Sequence, residues 1–382
     1  MEQKEKLIIP FNKPFLSGKE IEYIKQAVDL GKISGDGIFT EKCHAFFEDK
    51  CKFKKSLLTT SCTAALEMAA ILINIKKGDE VIMPSYTFVS TPNAFVLRGA
   101  KIVFVDSSAD NPNIDVNKIE ELISKRTKAI VVVHYAGIAC EMDYVMTLAK
   151  KHNLFVIEDA AQAIDSYYKQ KPLGTIGNLA AFSFHETKNI ISGEGGMLAI
   201  NDKSFIERAE IIREKGTNRS SFFRGEIDKY GWVDIGSSFL PSEIIAAFLY
   251  AQIENLDKIQ ARRLLIWKKY YNQLQNLQNK GYIKMPVIPD YATNNGHMFY
   301  ILCRTMRERS RLINHLKKNG ILSVFHYLPL HKSKFYTSKH DGRILPNVDR
   351  YSDTLLRLPF FYELIDQHID LITNRIEDFF IR

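Results

Sequence analysis

The chain has 382 residues, 46% hydrophobic and 25% charged, a globular composition long enough for two domains. No stretch of about 18 uncharged apolar residues is present to span a membrane, and the opening MEQKEKLIIP lacks the apolar run and cleavage site of a secretion signal, so a cytoplasmic address is expected. The formal net charge of +8 is spread without a basic block, which argues against a nucleic-acid partner and suits a small anionic ligand.

From about residue 55 to 200, short β-branched runs alternate with helical patterns, which predicts an α/β fold with a mainly parallel sheet covered by helices. Seven strands are expected, at 56–60, 80–83, 101–105, 129–133, 154–158, 180–184 and 197–200. Helices are expected between them at 64–74, 89–97, 116–124 and 141–151, where apolar residues recur at i, i+3 and i+4. One long helix over 242–275 then connects a large domain, 1–255, to a smaller α/β domain, 256–382, on which the first 30 or so residues are expected to pack. The small domain should hold strands at 298–302 and 322–327 and helices at 308–319 and 367–380. No repeat or flexible linker separates the two, so the cleft between them is the expected site.

In an open parallel sheet, ligands sit beyond the carboxyl ends of the strands. The fifth run ends in Asp159-Ala-Ala-Gln162, a carboxylate followed by residues small enough to admit a ring; such an Asp can keep a pyridine nitrogen protonated, with Gln162 facing a ring hydroxyl. The plain alternative is a helix cap or an Arg partner. The sixth run continues as His185-Glu-Thr-Lys188 and reaches the glycine-rich Ser192 to Gly196. A lysine in a tight, desolvated loop has a lowered pKa and forms a Schiff base readily; the alternative is a solvated loop lysine. Ser183 is placed to offer a hydroxyl to a phosphate, and His185 either packs over the site or belongs to the core. The first run ends in Thr59-Thr60-Ser61-Cys62-Thr63 and opens into AALEMAA, where unpaired amides and the helix dipole suit a phosphate monoester, or where Ser and Thr simply cap the helix. PSYTFVST places Tyr86 and Phe88 over the same surface, Phe88 as a ring-stacking residue or as core. His134 and Tyr135 either line the substrate space or pack inside. The five cysteines form no CxxC pair, so neither a disulfide framework nor a metal site is expected.

Taken in order, Thr60 to Leu66, PSYTFVST, VHYAG, EDAAQ, SFHETKN and GEGG resemble the DegT/DnrJ/EryC1/StrS family of sugar aminotransferases over nearly the whole length. The longer strings GDEVIMPSYTFVSTPNAFVLRGAKIVFVD and AEIIREKGTNRSSFFRG resemble the bacterial TDP-4-keto-6-deoxy-sugar transaminases within it. The resemblance implies the aspartate aminotransferase type of fold (pyridoxal phosphate fold type I), pyridoxal 5'-phosphate as cofactor, L-glutamate as amino donor, a nucleotide-linked ketosugar as acceptor and a homodimer with the site at its interface. It further implies conversion of TDP-4-dehydro-6-deoxyglucose to TDP-4-amino-4,6-dideoxygalactose for surface polysaccharide. Residue by residue it implies Lys188 as the Schiff-base lysine, Asp159 at the ring nitrogen, Gln162 at the ring oxygen, Phe88 stacked on the ring, and Ser61, Cys62, Thr63 and Ser183 around the phosphate.

One departure stands out. Where many relatives carry an Asn and an Arg that reach the neighbouring subunit's phosphate, this chain has Ser238 and Leu240, and the resemblance implies Ser238 as a cofactor-binding residue at that position. The basic loop holding Lys215, Arg219 and Arg224 matches the family segment near the nucleotide sugar, or is an ordinary exposed loop, and His326 in HYLPLH matches a segment at the mouth of the site. Two rival expectations are a 3-keto or UDP-linked acceptor and, from another class, a silent paralogue that binds a nucleotide sugar without chemistry.

Overall fold

The computed structural model describes residues 8–381. Helices α1 (Glu20–Asp29) and α2 (Ile38–Cys51) lead into β1 (Lys55–Thr59), α3 (Cys62–Leu72), β2 (Glu80–Pro84), α4 (Ser90–Val96), β3 (Lys101–Val105) and β4 (Thr127–Val133). Next come α5 (Met142–His152), β5 (Phe155–Asp159), a short hairpin of β6 (Tyr167–Tyr168) and β7 (Lys171–Pro172), β8 (Leu179–Ser183) and β9 (Gly196–Ile200). Helices α6 (Ile206–Arg213), α7 (Arg219–Phe223), α8 (Glu243–Ile253) and α9 (Leu256–Asn279) follow. The chain ends with β10 (Tyr300–Leu302), α10 (Met306–Lys318), α11 (Pro346–Thr354), β11 (Leu355–Arg357) and α12 (Asp366–Ile381).

All seven expected strands form one sheet in the order β1-β9-β8-β5-β4-β2-β3. Only β9 runs against its neighbours, β1 and β8. Side chains alternate between two cores: Leu57, Val81, Val131 and Ile157 enter one, and Leu58, Ile82, Val132 and Val156 the other. Burial on both faces is why these strands read as unbroken apolar runs rather than alternating ones.

A third core lies in the C-terminal part, and α9 ties it to the sheet: Leu256 and Ile259 belong to a sheet core, whereas Ile266, Tyr270, Leu274 and Leu277 belong to the third. At 24 residues, α9 is roughly 36 Å long, enough to run from one body into the other. Of the first 30 residues expected to pack on that part, 1–7 lie outside the described residues. Residues 9–15 do pack there, with Ile9 bridged to Ile321, the Phe11 carbonyl accepting the Phe360 N–H at 3.0 Å and Phe15 stacked on Tyr362. Helix α1 packs instead on α8, with Ala27 in a sheet core.

Three expected elements differ. The helix over 116–124 is instead two 3₁₀ turns, Val116–Lys118 and Glu120–Leu122. Its apolar residues, Val116, Ile119 and Leu122, stand three apart, the period of a 3₁₀ turn rather than an α-helix. The helix over 242–275 is two, broken where the Asn255 side chain bonds back to the Ala251 carbonyl at 3.0 Å. The strand over 322–327 is reduced to one bridge, Val324 with Arg357, on the edge of β11 that β10 leaves free.

The start of α2 depends on a distant carboxylate. Glu243, 1% exposed at the start of α8, accepts the N–H groups of Gly37, Phe39 and Thr40 at 2.9–3.0 Å and also the Thr40 hydroxyl. An anion is well placed at a helix start. Replacing it with Glu243→Ala leaves those donors buried and unmet, so the urea midpoint should fall by the equivalent of about 3 kcal/mol with the slope unchanged. An unaltered midpoint would show that the cap contributes nothing.

Candidate active site

The carboxyl ends of β1, β2, β5 and β8 open onto a cavity of about 710 Å³, whose far wall comes from the C-terminal part. Ser61, Cys62, Thr63, Phe88, Asp159, Gln162, Ser183 and Lys188 all line it, and so do His185 and His326.

At the end of β1, Ser61 caps α3, its hydroxyl accepting the Ala64 N–H at 3.1 Å. The first amides of a helix have no acceptor within it, so those of Cys62 and Thr63 are the ones left to an outside anion. Thr63 donates its hydroxyl to Ser90 at 2.8 Å, which fixes its side chain. Close approach of β9 makes the turn possible. A Cβ on Gly196 would lie 2.3 Å from both the Cys62 nitrogen and the Ser61 carbonyl carbon, far inside contact distance. In register, Thr59, Gly196 and Ser183 stand side by side, so the Ser183 hydroxyl comes from the same row of the sheet as the turn.

Asp159, 6% exposed, ends β5. Its carboxylate accepts the Thr91 hydroxyl at 2.7 Å and the Ala161 N–H at 3.2 Å, and it makes no ion pair with an arginine among the described residues. Burial pushes its pKa up, partly offset by the Thr91 and Ala161 hydrogen bonds and then by the Lys188 charge. Gln162 accepts the Ala136 N–H at 2.6 Å and donates to the Tyr327 hydroxyl at 3.0 Å, so its side chain is held toward the cavity.

Lys188 follows β8 in the loop that returns to β9. The loop is closed by the bonds Glu186 N–H to Gly193 O, 3.0 Å, and Lys188 N–H to His185 O, 2.9 Å. Burial lowers the pKa of its amine, against the attraction of Asp159, which favours the charge. A nucleophilic amine needs this direction of shift, because a lower pKa leaves more of it neutral near pH 7.

Aromatic side chains roof the cavity. Phe88 is 56% exposed and so is not a core residue. Its ring lies 6.2 Å from that of Tyr327, which stacks on His326 at 3.6 Å. His326 donates to or accepts from the Tyr135 hydroxyl at 2.6 Å, and burial lowers its pKa, so the ring is neutral. His185 sits at the rim with its Nδ1 3.0 Å from the Thr187 hydroxyl.

Several expected substrate residues lie elsewhere. His134 is fully buried: its Nδ1 accepts the Cys140 N–H at 3.2 Å and its Nε2 meets Glu158 at 3.0 Å, so it braces the ends of β4 and β5 from inside. Tyr86, 1% exposed, forms a layer beneath Tyr135 and Tyr327. The basic side chains of the loop pair with local acids, Arg219 with Glu214 and Arg224 with Glu210 and Glu226, and Lys215 lies outside the lining. Ser238 is exposed beside that loop, bridged to Glu214, and Leu240 packs near Gly35. Neither reaches the cavity within one chain.

Sequence reasoning missed Thr91, one helical turn past Phe88, whose signal was a hydroxyl in the PSYTFVST string. It also missed His297, Phe11 and Arg357, which come from segments with no motif and are brought to the cavity only by tertiary folding. His297 meets the Asn189 side-chain oxygen at 2.8 Å and is kept neutral by burial.

These groups fit pyridoxal phosphate: an amide turn opened by Gly196 for the phosphate, a buried carboxylate for the ring nitrogen, an amine for the aldehyde and an uncovered phenyl ring for the face. The DegT/DnrJ/EryC1/StrS aminotransferase family model matches residues 14–377. GDP-perosamine synthase of Escherichia coli O157:H7 is 33% identical, covering 97% of this chain and 98% of its own. The spore coat polysaccharide biosynthesis protein SpsC of Bacillus subtilis is 30% identical over 99% and 98%. Among solved structures, the putative sugar aminotransferase Spr1654 of Streptococcus pneumoniae in its PLP form superposes with a TM-score of 0.89 at 25% identity, covering 97% of this chain and 98% of that one. On this combined evidence the chain belongs to the DegT/DnrJ/EryC1/StrS family of pyridoxal phosphate dependent sugar aminotransferases.

Proposed function

We propose that the chain moves the amino group of L-glutamate to carbon 4 of a nucleotide-linked 4-keto-6-deoxy sugar, converting TDP-4-dehydro-6-deoxyglucose to TDP-4-amino-4,6-dideoxygalactose for a surface polysaccharide. One observation carries the chemistry: the Lys188 amine, the Asp159 carboxylate and the Ser61–Cys62–Thr63 turn face a single cavity, and the first two feel each other's charge. Support for the TDP sugar comes from the two long strings around residues 78–106 and 209–225, and support for polysaccharide synthesis from the name of the Bacillus relative.

Pyridoxal phosphate, when bound, supplies an aldehyde carbon and a ring that takes up the electron pair released by proton loss. The chain's own groups do the rest. Lys188 holds the cofactor and, once displaced by an incoming amine, its Nζ takes the proton from the donor's α-carbon and returns one in the second half of the cycle. Asp159 keeps the ring nitrogen protonated, and Thr91 and the Ala161 amide hold that carboxylate in place. Ser183 and the amides of Cys62 and Thr63 bind the phosphate, Gln162 orients the ring oxygen, and Phe88 covers the ring. Water is kept from one side by the Tyr327 and His326 stack.

A GDP-linked sugar is the competing acceptor, favoured by the name of the 33% identical relative. A panel of TDP, GDP and UDP 4-ketosugars and a TDP 3-ketosugar, each with glutamate, separates these. The TDP 4-ketosugar should lead in kcat/KM by about tenfold or more, with the amine at carbon 4 by NMR. A GDP preference would replace the nucleotide assignment, and amination at carbon 3 would overturn the regiochemistry.

Lys188→Ala should fold normally and lose at least about 10³-fold in turnover, with glutamate no longer shifting the cofactor absorbance. Residual turnover near wild type would reject the lysine assignment. The protein is proposed to act as a cytoplasmic homodimer, supported by the exposed Trp232, Val233 and Ile235 in the loop that leads to Ser238. Light scattering should then give the mass of two chains, and the mass of one would exclude it.

A further inference from the structure

His297 lines the cavity and has no part in the steps described so far. Its backbone is tied down on both sides. The N–H donates to the Asn295 side-chain oxygen at 3.0 Å, and Arg263 donates to the His297 carbonyl at 2.7 Å and to that of Gly296 at 2.9 Å. The ring is held by the residue that follows Lys188, with Nδ1 2.8 Å from Asn189 Oδ1.

That contact settles where the ring carries its hydrogen. The other end of the Asn189 amide lies 2.9 Å from the Asn295 carbonyl oxygen. A carbonyl only accepts, so that end is the NH2 group and the end facing His297 is the oxygen. An oxygen at this distance requires the hydrogen to sit on Nδ1. Burial, with the charges of Lys188, Arg263 and Arg357, keeps the ring from taking a second proton. Nε2 is therefore a bare lone pair. It has no partner among the described residues, and unlike the Nε2 of His331 it is not sealed in the interior but belongs to a ring that lines the cavity. His326 is not fixed in this way, because its partner is the Tyr135 hydroxyl, which can donate or accept.

A fixed acceptor needs a donor, and the donor it suits is Lys188. Asn189 ties the ring to the residue next to that lysine, and of the charges that bear on His297 the lysine's is the largest. The Lys188 amine itself feels only burial and charges, with no hydrogen-bond acceptor among the described residues. Once displaced from the cofactor it must approach the donor's α-carbon unprotonated and in one direction. A carboxylate partner would align it but hold it charged, whereas a neutral imidazole nitrogen aligns an N–H and favours the charged form far less. From this we infer that His297 is a positioning residue for Lys188: its Nε2 accepts one N–H of the freed amine and turns the amine's lone pair toward the α-carbon. The inference rests on the aminotransferase reading above. The C–H bond breaks and an N–H bond forms on Nζ, and His297 itself exchanges no proton.

The test uses the holoenzyme and two variants, His297→Leu, which removes the acceptor, and His297→Gln, which offers an amide oxygen near the same place. Conversion of the cofactor by saturating L-glutamate, followed by absorbance, should slow about 10- to 100-fold in the Leu variant, with the half-saturating concentration within about threefold of wild type. The Gln variant should recover to within about tenfold of wild type and run faster than Leu. With glutamate deuterated at the α-carbon, the isotope effect in the Leu variant should be at least as large as in wild type, because the step that suffers is the proton transfer. Apart from turnover, nitrogen NMR of protein labelled at histidine, with the His297 signals identified by their loss in the Gln variant, should show hydrogen on Nδ1 and none on Nε2 from about pH 6 to 8. Hydrogen on Nε2, a doubly protonated ring, a Leu variant as fast as wild type, a Gln variant as slow as Leu, or an isotope effect that shrinks in Leu would each overturn the inference. If the Leu variant does not fold, the Gln rate and the ring nitrogens decide. A wild-type holoenzyme that ignores glutamate would instead overturn the aminotransferase reading, on which the nitrogen signals do not depend.

Discussion

Burial of both faces of the seven-stranded sheet is the constraint from which the site follows. With apolar side chains filling each face, the polar chemistry of these strands is confined to their ends, where the chain must turn and backbone groups lose their ladder partners. The register then decides what meets there. Thr59, Gly196 and Ser183 share one row, and Asp159 pairs with Ala181 two residues before Ser183. A slip of one residue anywhere in this set would turn the apolar side chains of a strand to the wrong core, so the packing that stabilises the sheet also fixes the spacing of the site.

The same enclosure sets the electrostatics. Burial moves the Asp159 carboxyl up and the Lys188 amine down, each away from its charged form. Their mutual attraction opposes both shifts, and the Thr91 hydroxyl and Ala161 amide add to the stabilisation of the carboxylate. A cationic ring nitrogen brought against Asp159 strengthens the charged form further, whereas Lys188 loses its positive charge when it combines with an aldehyde. The pair therefore suits a ligand that carries its own positive charge to one and removes the proton from the other.

How much of this could be read from the amino acids depended on range. The seven strands were legible because each is a local apolar run bounded by turn residues, and the residues at their ends were legible because a strand end is a place in sequence as well as in space. Helix ends and short elements were less so. Ile38–Cys51 was not legible as a helix although Phe39, Cys43 and Phe47 stand four apart on its buried side, because its apolar stripe is narrow and Phe46 and Ile38 lie off it. His134 and Tyr86 show the opposite failure. Both follow strands and look like ligand-facing residues, yet each is covered, one by Glu158 and the other by two tyrosines. Adjacency to a strand end does not state whether a side chain points out of the sheet or back beneath it. Arg357 and Phe11 had no local signature at all, since about 350 residues separate them and only the folded chain brings them together.

The two parts of the chain divide the labour unevenly. Residues that meet the cofactor in the proposed arrangement come from the sheet and the loops leaving it, whereas His297, Tyr327 and Arg357 on the facing wall come from the C-terminal part and Phe11 from the segment packed on it. That wall is built on short strands and bridges, β10 with β11 and Val324 with Arg357, which tolerate exchange of side chains without disturbing the large core. A fold arranged in this way can keep one chemistry fixed while the surface that meets the substrate changes, which is consistent with relatives that share the architecture at 25 to 33% identity. Lys188 and Asp159 stand on the sheet side of the cavity and His297 and Arg357 on the C-terminal side, so any ligand held between them is met by groups that different parts of the chain supply.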